Sequence, residues 1–381
     1  MQNKHTAFIN QIFQQKKFVP PYCPNPKCSC HLYPSTNFYI KFGSTKTNKL
    51  PHFNQRYRCK ICLRQFSYNY FFLDFRKKIP GLAPEVLYDK VNGMTNLSIA
   101  RKHKINEQVI RIRLLDMKRQ SILWHKRLTQ SMLIKEAVAY DGFETFCYSQ
   151  FDPCYVNTAV GKDSLFTYKI NYSTLNRKGR MTNWQKKKNN VLLQQFGMYP
   201  KNSIRLKTTQ IIRFLYEKSY NRSLNLYTDG HKSYLNSLLH DLPALNISHY
   251  VTSSKERRDT SNPLFPINHL HLHFRHFTSS NRRETIAFNK NEKGLMCILL
   301  LKTMFKNYMS PQILKKCKHN PSRNYNSPAM GIGITDKILN FNDFFKYRIT
   351  AKQVELDDDE KNFYFDQWSD SRRKILPYNG I

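Results

Sequence analysis

Tyr22-Cys-Pro-Asn-Pro-Lys-Cys28 and Tyr57-Arg-Cys-Lys-Ile-Cys-Leu-Arg-Gln-Phe-Ser67 decide how the first part of this chain is read. Each stretch carries a close cysteine pair, Cys23 with Cys28 and Cys59 with Cys62. Four thiolates are soft ligands that satisfy a tetrahedral zinc ion and leave no position open for substrate. Such a closed site is structural, letting a short segment fold that is too small to bury much core. Cys30 and His31 stand close enough to replace Cys28 in the first pair. The remaining cysteines, Cys147, Cys154, Cys297 and Cys317, are scattered and the total of nine is odd, which disfavours a disulfide framework. Arg56, Arg58, Lys60 and Arg64 crowd the second pair, so this ribbon is expected to face a polyanion, with Lys60 and Arg64 as DNA contacts.

Charge extends that expectation to the whole chain. The 381 residues carry a formal net charge of +36, with a pI near 9.9. A field of that sign concentrates phosphate polyanions and adds sequence-independent affinity through counterion release. With 40% hydrophobic and 14% aromatic residues the charge is not a sign of disorder. No apolar run approaches twenty residues, and the opening Met1-Gln-Asn-Lys-His-Thr6 has no apolar core of a signal peptide. The expectation is a soluble protein of a reducing compartment that binds nucleic acid and spans no membrane.

Residues 1–20 read as a basic arm, and 21–80 as a zinc ribbon with aromatic strands such as Asn37-Phe-Tyr-Ile-Lys-Phe-Gly43 between the cysteine pairs. Pro80 and Pro84 mark a break. Residues 81–130 read as a helix-turn-helix unit with helices over Glu85–Val91, Thr95–His103 and Glu107–Arg119, Thr95 and Asn106 being suited to cap the second and third. In such a motif the later helix lies in the major groove with its early residues on base edges, which makes Gln108, Arg111 and Arg113 the expected readers. An ordinary helical linker with a solvated basic face fits the same pattern.

Residues 131–315 read as an α/β domain. Glu136–Phe146 is a strand with Asp141 at or near its end, Asp163–Asn171 alternates like a second, Thr208–Ser219 has helical spacing, and Ser223–His231 is a strand ending at Asp229-Gly230. The basic run 176–190 is either a solvated loop or helix face, or a clamp on a DNA strand. An apolar helix runs to Met309. Residues 316–381 form a tail with an acidic cluster at Glu355 and 357–360, either loosely packed or used in an oligomer. Carboxylates on adjacent strand ends can share two Mg²⁺ ions about 4 Å apart, activating one oxygen and stabilising the leaving oxygen of a phosphodiester. Asp141-Gly142 and Asp229-Gly230 also suit ordinary turns.

The order of these parts, with Leu226-Tyr-Thr-Asp-Gly-His-Lys-Ser-Tyr234 and Arg282-Arg-Glu-Thr-Ile-Ala-Phe288, resembles bacterial insertion-sequence transposases that join a zinc ribbon and helix-turn-helix to a DDE domain. The resemblance covers roughly residues 20–310. It implies a multidomain α+β protein with an RNase H-like catalytic domain, a mixed five-stranded sheet flanked by helices. It also implies Mg²⁺ or Mn²⁺ held by three acidic residues for DNA cleavage and strand transfer. The expected partners are double-stranded DNA, at element ends and target, and further copies of the chain on that DNA. The expected location is cytoplasmic, associated with the nucleoid. Asp141 falls on the first acidic position and Asp229 on the second.

At the third position the family has glutamate, whereas here Pro266-Ile-Asn-His-Leu-His-Leu-His-Phe-Arg275 places Asn268. Asn268 offers an uncharged carbonyl oxygen. His269 is taken as the third site residue, although imidazole suits softer ions than Mg²⁺. Glu284 lies sixteen residues past Asn268, about 24 Å along one continuous helix. Two readings follow: an active transposase with a modified third ligand, or a DNA-binding relic that has lost catalysis and acts as a regulator.

Overall fold

The computed structural model describes residues 18–46, 53–253, 255–282, 287–311 and 326–368, and these form an α+β protein. The basic arm up to residue 17 and Glu284 lie outside the described residues. Among the described residues no helix is long and apolar enough to cross a membrane. The chain divides into two compact units, one of Met1–Arg127 with Leu339–Asp357, the other of Leu128–Ile338 with Asp358–Ile381.

In the first unit β1 (Tyr39–Lys46), β2 (Phe53–Cys59) and β3 (Gln65–Ser67) form an antiparallel sheet with Tyr39 opposite Cys59 and Tyr57 opposite Phe66. Its small core is aromatic: Tyr22, Phe38, Tyr57, Phe66 and Phe71 pack with the buried cysteines. Helices α1 (Ala83–Val91), α2 (Asn96–His103) and α3 (Glu107–Leu128) follow. Thr95 caps α2 by accepting from the Ser98 N–H at 3.1 Å, and Lys104, in the left-handed region (φ 54°), ends it. Asn106 Oδ1 accepts from the Gln108 N–H at 2.8 Å. Val86, Leu87, Ile99, Ile110, Leu114 and Met117 bury the faces that these helices share. The third helix therefore runs nine residues beyond the expected Arg119, to Leu128.

The expected single tail is instead split between the units. Segment 339–357 straps the first unit together. Gln120 exchanges hydrogen bonds with the Ile349 backbone at 3.1 and 3.0 Å, Trp124 donates to Tyr347 O, and Tyr22 donates to Arg348 O at 2.6 Å. The acidic cluster is itself divided: Glu355 and Asp357 stay with the first unit, whereas in the second Asp359 pairs with Lys207 and Glu360 with Lys169, at 2.5 and 2.7 Å.

The second unit is built on a five-stranded mixed sheet of order β6-β5-β4-β7-β8: β4 (Val138–Phe146), β5 (Pro153–Gly161), β6 (Thr167–Thr174), β7 (Leu224–Thr228) and β8 (Ile247–Val251). The first three are antiparallel; β7 joins β4, and β8 joins β7, in parallel. Helices α4 (Asn183–Phe196) and α5 (Ser203–Lys218) lead from β6 to β7, α6 (Lys232–Asn236) from β7 to β8, and α7 (Phe265–His276) and α8 (Glu292–Met304) follow. Strand alternation sends Tyr140 to α5, where its hydroxyl meets Thr208 Oγ1 at 2.8 Å, and Phe143 to α7, against Phe274. The sheet is thus covered on both faces. Every residue of β5 is buried, which is why it shows no alternation in the sequence and was not among the expected strands.

Candidate functional site

The aspartates meet through parallel pairing. Val138 stands beside Leu226 and Ala139 beside Tyr227. Two residues on, the same register sets Asp141 beside Asp229, where β7 has ended at Thr228 while β4 continues against β5. Neighbouring strands are about 4.8 Å apart, so the two carboxylates occupy one site. Asp141 is therefore not at a strand tip, as expected, but four residues into a nine-residue strand that outruns its neighbour. The charges interact: burial first and Asp229 second raise the Asp141 carboxyl to about 6, against hydrogen bonds from Gly142, Tyr234 and Tyr155 that lower it.

Those donors hold one oxygen. Asp141 Oδ1 accepts from the Gly142 N–H at 2.7 Å, from Tyr234 OH at 3.2 Å and from Tyr155 OH at 3.5 Å, and the two phenols touch at 2.7 Å. Burial raises both phenol pKa values, so each remains a donor. Gly142 serves this arrangement rather than a turn. A Cβ there would lie 1.6 Å from Tyr155 Cε1, so only glycine lets the Tyr155 ring cross the strand. Tyr234 stood in the Thr-Asp-Gly motif without a role, and Tyr155 lay in the unrecognised strand. Asp229 accepts from the His231 N–H at 3.0 Å.

His269 does not join this pair. Its Nε2 lies 3.3 Å from His273 Nε2, and burial, then Lys306 and His273, lower its pKa to about 4. The reason is helical period. On α7 the row of 268, 271 and 275 lies to one side of exposed Leu272 and the row of 269 and 273 to the other. His271 reaches Thr158 Oγ1 at 3.0 Å, Thr158 being the β5 partner of Asp141, and Arg275 lies over Phe143. Asn268 shares that row.

In the first unit the four expected ligands converge. Single Sγ atoms of Cys23, Cys28, Cys59 and Cys62 all lie within 4.8 Å of one another, with Cys23–Cys62 at 3.6 Å and Cys28–Cys59 at 3.8 Å. A tetrahedron with bonds of 2.3 Å has edges of about 3.8 Å, the spacing that zinc thiolates require. The four cysteines can hold one metal ion. Burial raises the Cys62 thiol, but hydrogen bonds from the Arg64 backbone, Asn25 and Cys23 outweigh it and bring the pKa to about 7. His31 is occupied elsewhere, with Nδ1 2.7 Å from Cys23 O and Nε2 2.8 Å from Thr350 Oγ1, and Cys30 stands outside the cluster.

Of the expected DNA contacts, Lys60, Arg64, Gln108 and Arg111 are exposed, Arg111 pairing with Glu107 at 3.3 Å. Arg113 is not a surface reader. It is 2% exposed and donates to Asp74 Oδ1 and to Ile79 O. The stripe Ile110, Arg113, Leu114 and Met117 puts it on the buried face of α3. A scan against protein-family models and a search of curated proteins found no match to this chain.

Proposed function

We propose that this chain is a DNA transposase that binds the ends of an insertion element and cleaves and transfers DNA strands with Mg²⁺ or Mn²⁺. The observation that carries the reading is the placement of Asp141 beside Asp229 by parallel β4–β7 pairing. The mixed five-stranded sheet flanked by helices supports an RNase H-like catalytic domain, and the cysteine cluster followed by three short-linked helices supports a zinc ribbon and helix-turn-helix.

The carboxylate pair fits a divalent cation. Two hard oxygen donors share a partly buried site, where burial first and the neighbouring Asp229 second raise the Asp141 pKa. When bound there, the cation would supply charge neutralisation and Lewis acidity at a phosphodiester. The chain's own residues do the rest. Tyr155 and Tyr234 fix one oxygen of Asp141 and leave Oδ2 to ligate. The His231 N–H orients Asp229. Lys60, Arg64, Gln108 and Arg111 are exposed to hold duplex DNA, and the chain works as an oligomer on that DNA.

Incubation with a supercoiled plasmid carrying the sequences that flank the chain's own coding region tests this. Nicking that needs Mg²⁺ or Mn²⁺, and that Asp141→Asn and Asp229→Asn each abolish, is the expected result. A second reading is favoured by asparagine at position 268: a relic that binds the same DNA and regulates without cutting it. Specific binding with no metal-dependent nicking would select it.

A further inference from the structure

Between β6 and α5 lies a segment that phosphodiester chemistry does not use. From Ser164 to Tyr216 the sequence contains no aspartate or glutamate. The basic residues at its edges are neutralised from elsewhere in the unit: Lys169 by Glu360, Arg205 by Asp241 and Lys207 by Asp359. Those in the middle are not. Arg177, Lys178, Arg180, Lys186, Lys187 and Lys188 make no ion pair among the described residues.

Helix α4 carries half of this charge, Lys186, Lys187 and Lys188, and buries little of its own surface. A capping box starts it, Thr182 accepting from the Gln185 N–H at 3.2 Å and Gln185 Oε1 accepting from the Thr182 N–H at 2.9 Å. Asn189 is its one buried residue. Trp184 in its first turn is 60% exposed, with the Phe151 ring tilted toward it at 6.5 Å between ring centres and Lys188 Nζ 5.2 Å from its ring. Leu192, Leu193 and Phe196 half-bury the far turns of the helix, so its first turn presents the indole and the unpaired cations together to solvent.

We propose that α4 and the loop before it take a single-stranded nucleic acid, a base stacking on Trp184 while its phosphates follow Lys186–Lys188 and Arg177–Arg180. Charge complementarity commits the site to a polyanion. The exposed ring commits it to one with free base faces, since duplex bases are already stacked on one another. This rests on the reading of the chain as one that acts on DNA strands, and it names the partner of a surface apart from the aspartates.

The test is binding of a labelled single-stranded oligonucleotide to the full chain with zinc and without added Mg²⁺. Trp184→Ala is expected to weaken it roughly tenfold, to change duplex binding less than about twofold, and to leave the thermal midpoint in place because the indole is exposed. Replacing Lys186, Lys187 and Lys188 by Gln is expected to reduce the slope of log affinity against log salt by about two. Unchanged single-strand binding by Trp184→Ala would overturn the proposal. So would equal sensitivity of heparin, a polyanion without bases, or tryptophan quenching by anionic phospholipid vesicles in place of the oligonucleotide. Asp141→Asn is expected to keep this binding, so loss of nicking and loss of the Trp184 contact are read separately.

Discussion

The cysteine cluster and the aspartate pair both crowd groups that repel one another when ionised, but they are completed differently. The cysteines come in two local pairs, and spacing within each pair brings the thiols into reach of one ion. The aspartates lie on strands separated by two other strands and two helices, and only sheet register joins them. The first site offers four ligands to one ion and, once filled, would leave no position open for substrate. The second keeps a carboxylate oxygen free and is held in shape by Tyr155, Tyr234 and Gly142. A structural site is thus defined by its ligands, whereas the candidate active site depends on its frame.

Metal removal should separate the two most sharply. Zinc-finger peptides draw about 10–16 kcal/mol of apparent binding energy from structural zinc. Chelation, or Cys59→Ser with Cys62→Ser, is therefore expected to unfold residues 21–75 and abolish specific DNA binding. Hydrogen exchange should show the second unit's sheet still protected; equal loss of protection in both units would break the contrast.

A smaller effect is expected from Arg113. Removing it strands Asp74 and the Ile79 carbonyl, and loss of one partner of a buried pair costs roughly 3–5 kcal/mol. Arg113→Ala should lower stability by about 3 kcal/mol in urea denaturation, while Arg111→Ala, on the exposed face, should leave stability within about 0.5 kcal/mol and weaken DNA binding alone. Similar stability losses in both would place Arg113 on the surface after all.

Smallest and opposite in sign is the expected effect of Asp141→Asn. The Asp141 carboxyl is raised from 3.8 to about 6 in the folded protein, so folding is favoured while it is protonated and loses that favour as pH rises through 6. The shift corresponds to roughly 3 kcal/mol, reduced by the partial exposure of the group to about 2 kcal/mol. Without added divalent cation, Asp141→Asn should therefore stabilise the chain above pH 6, the gain shrinking toward zero near pH 4. Thermal melts across that range measure it, and a gain that persists at pH 4 would point to packing instead of charge.

What could be read before the structure follows the same contrast. The cysteine cluster and the three helices were legible because their signals are local: cysteine spacing, and the caps Thr95 and Asn106. The strands bearing Asp141 and Asp229 were legible from their apolar runs, though not the overshoot that puts Asp141 in mid-strand. Strand β5 was missed because burial on both faces erases period, and Tyr155 went with it. Arg113 was misplaced because its charge hid a spacing that assigns it to the core face. His269 was favoured for its chemistry, while helical period puts Asn268 on the row of His271 and Arg275. Segment 339–357 had no readable role because its hydrogen bonds reach back more than two hundred residues.

That strap has a consequence for synthesis. Thr350 bonds His31 behind the first cysteine pair, and Ile349 bonds Gln120 in the long helix. The cysteine pairs and the three helices precede the sheet in the chain, yet these bonds form only once all five strands of the second unit have been translated. A nascent chain thus holds its cysteine module partly unlatched while the sheet is being made, so a unit that is translated before the sheet is completed after it.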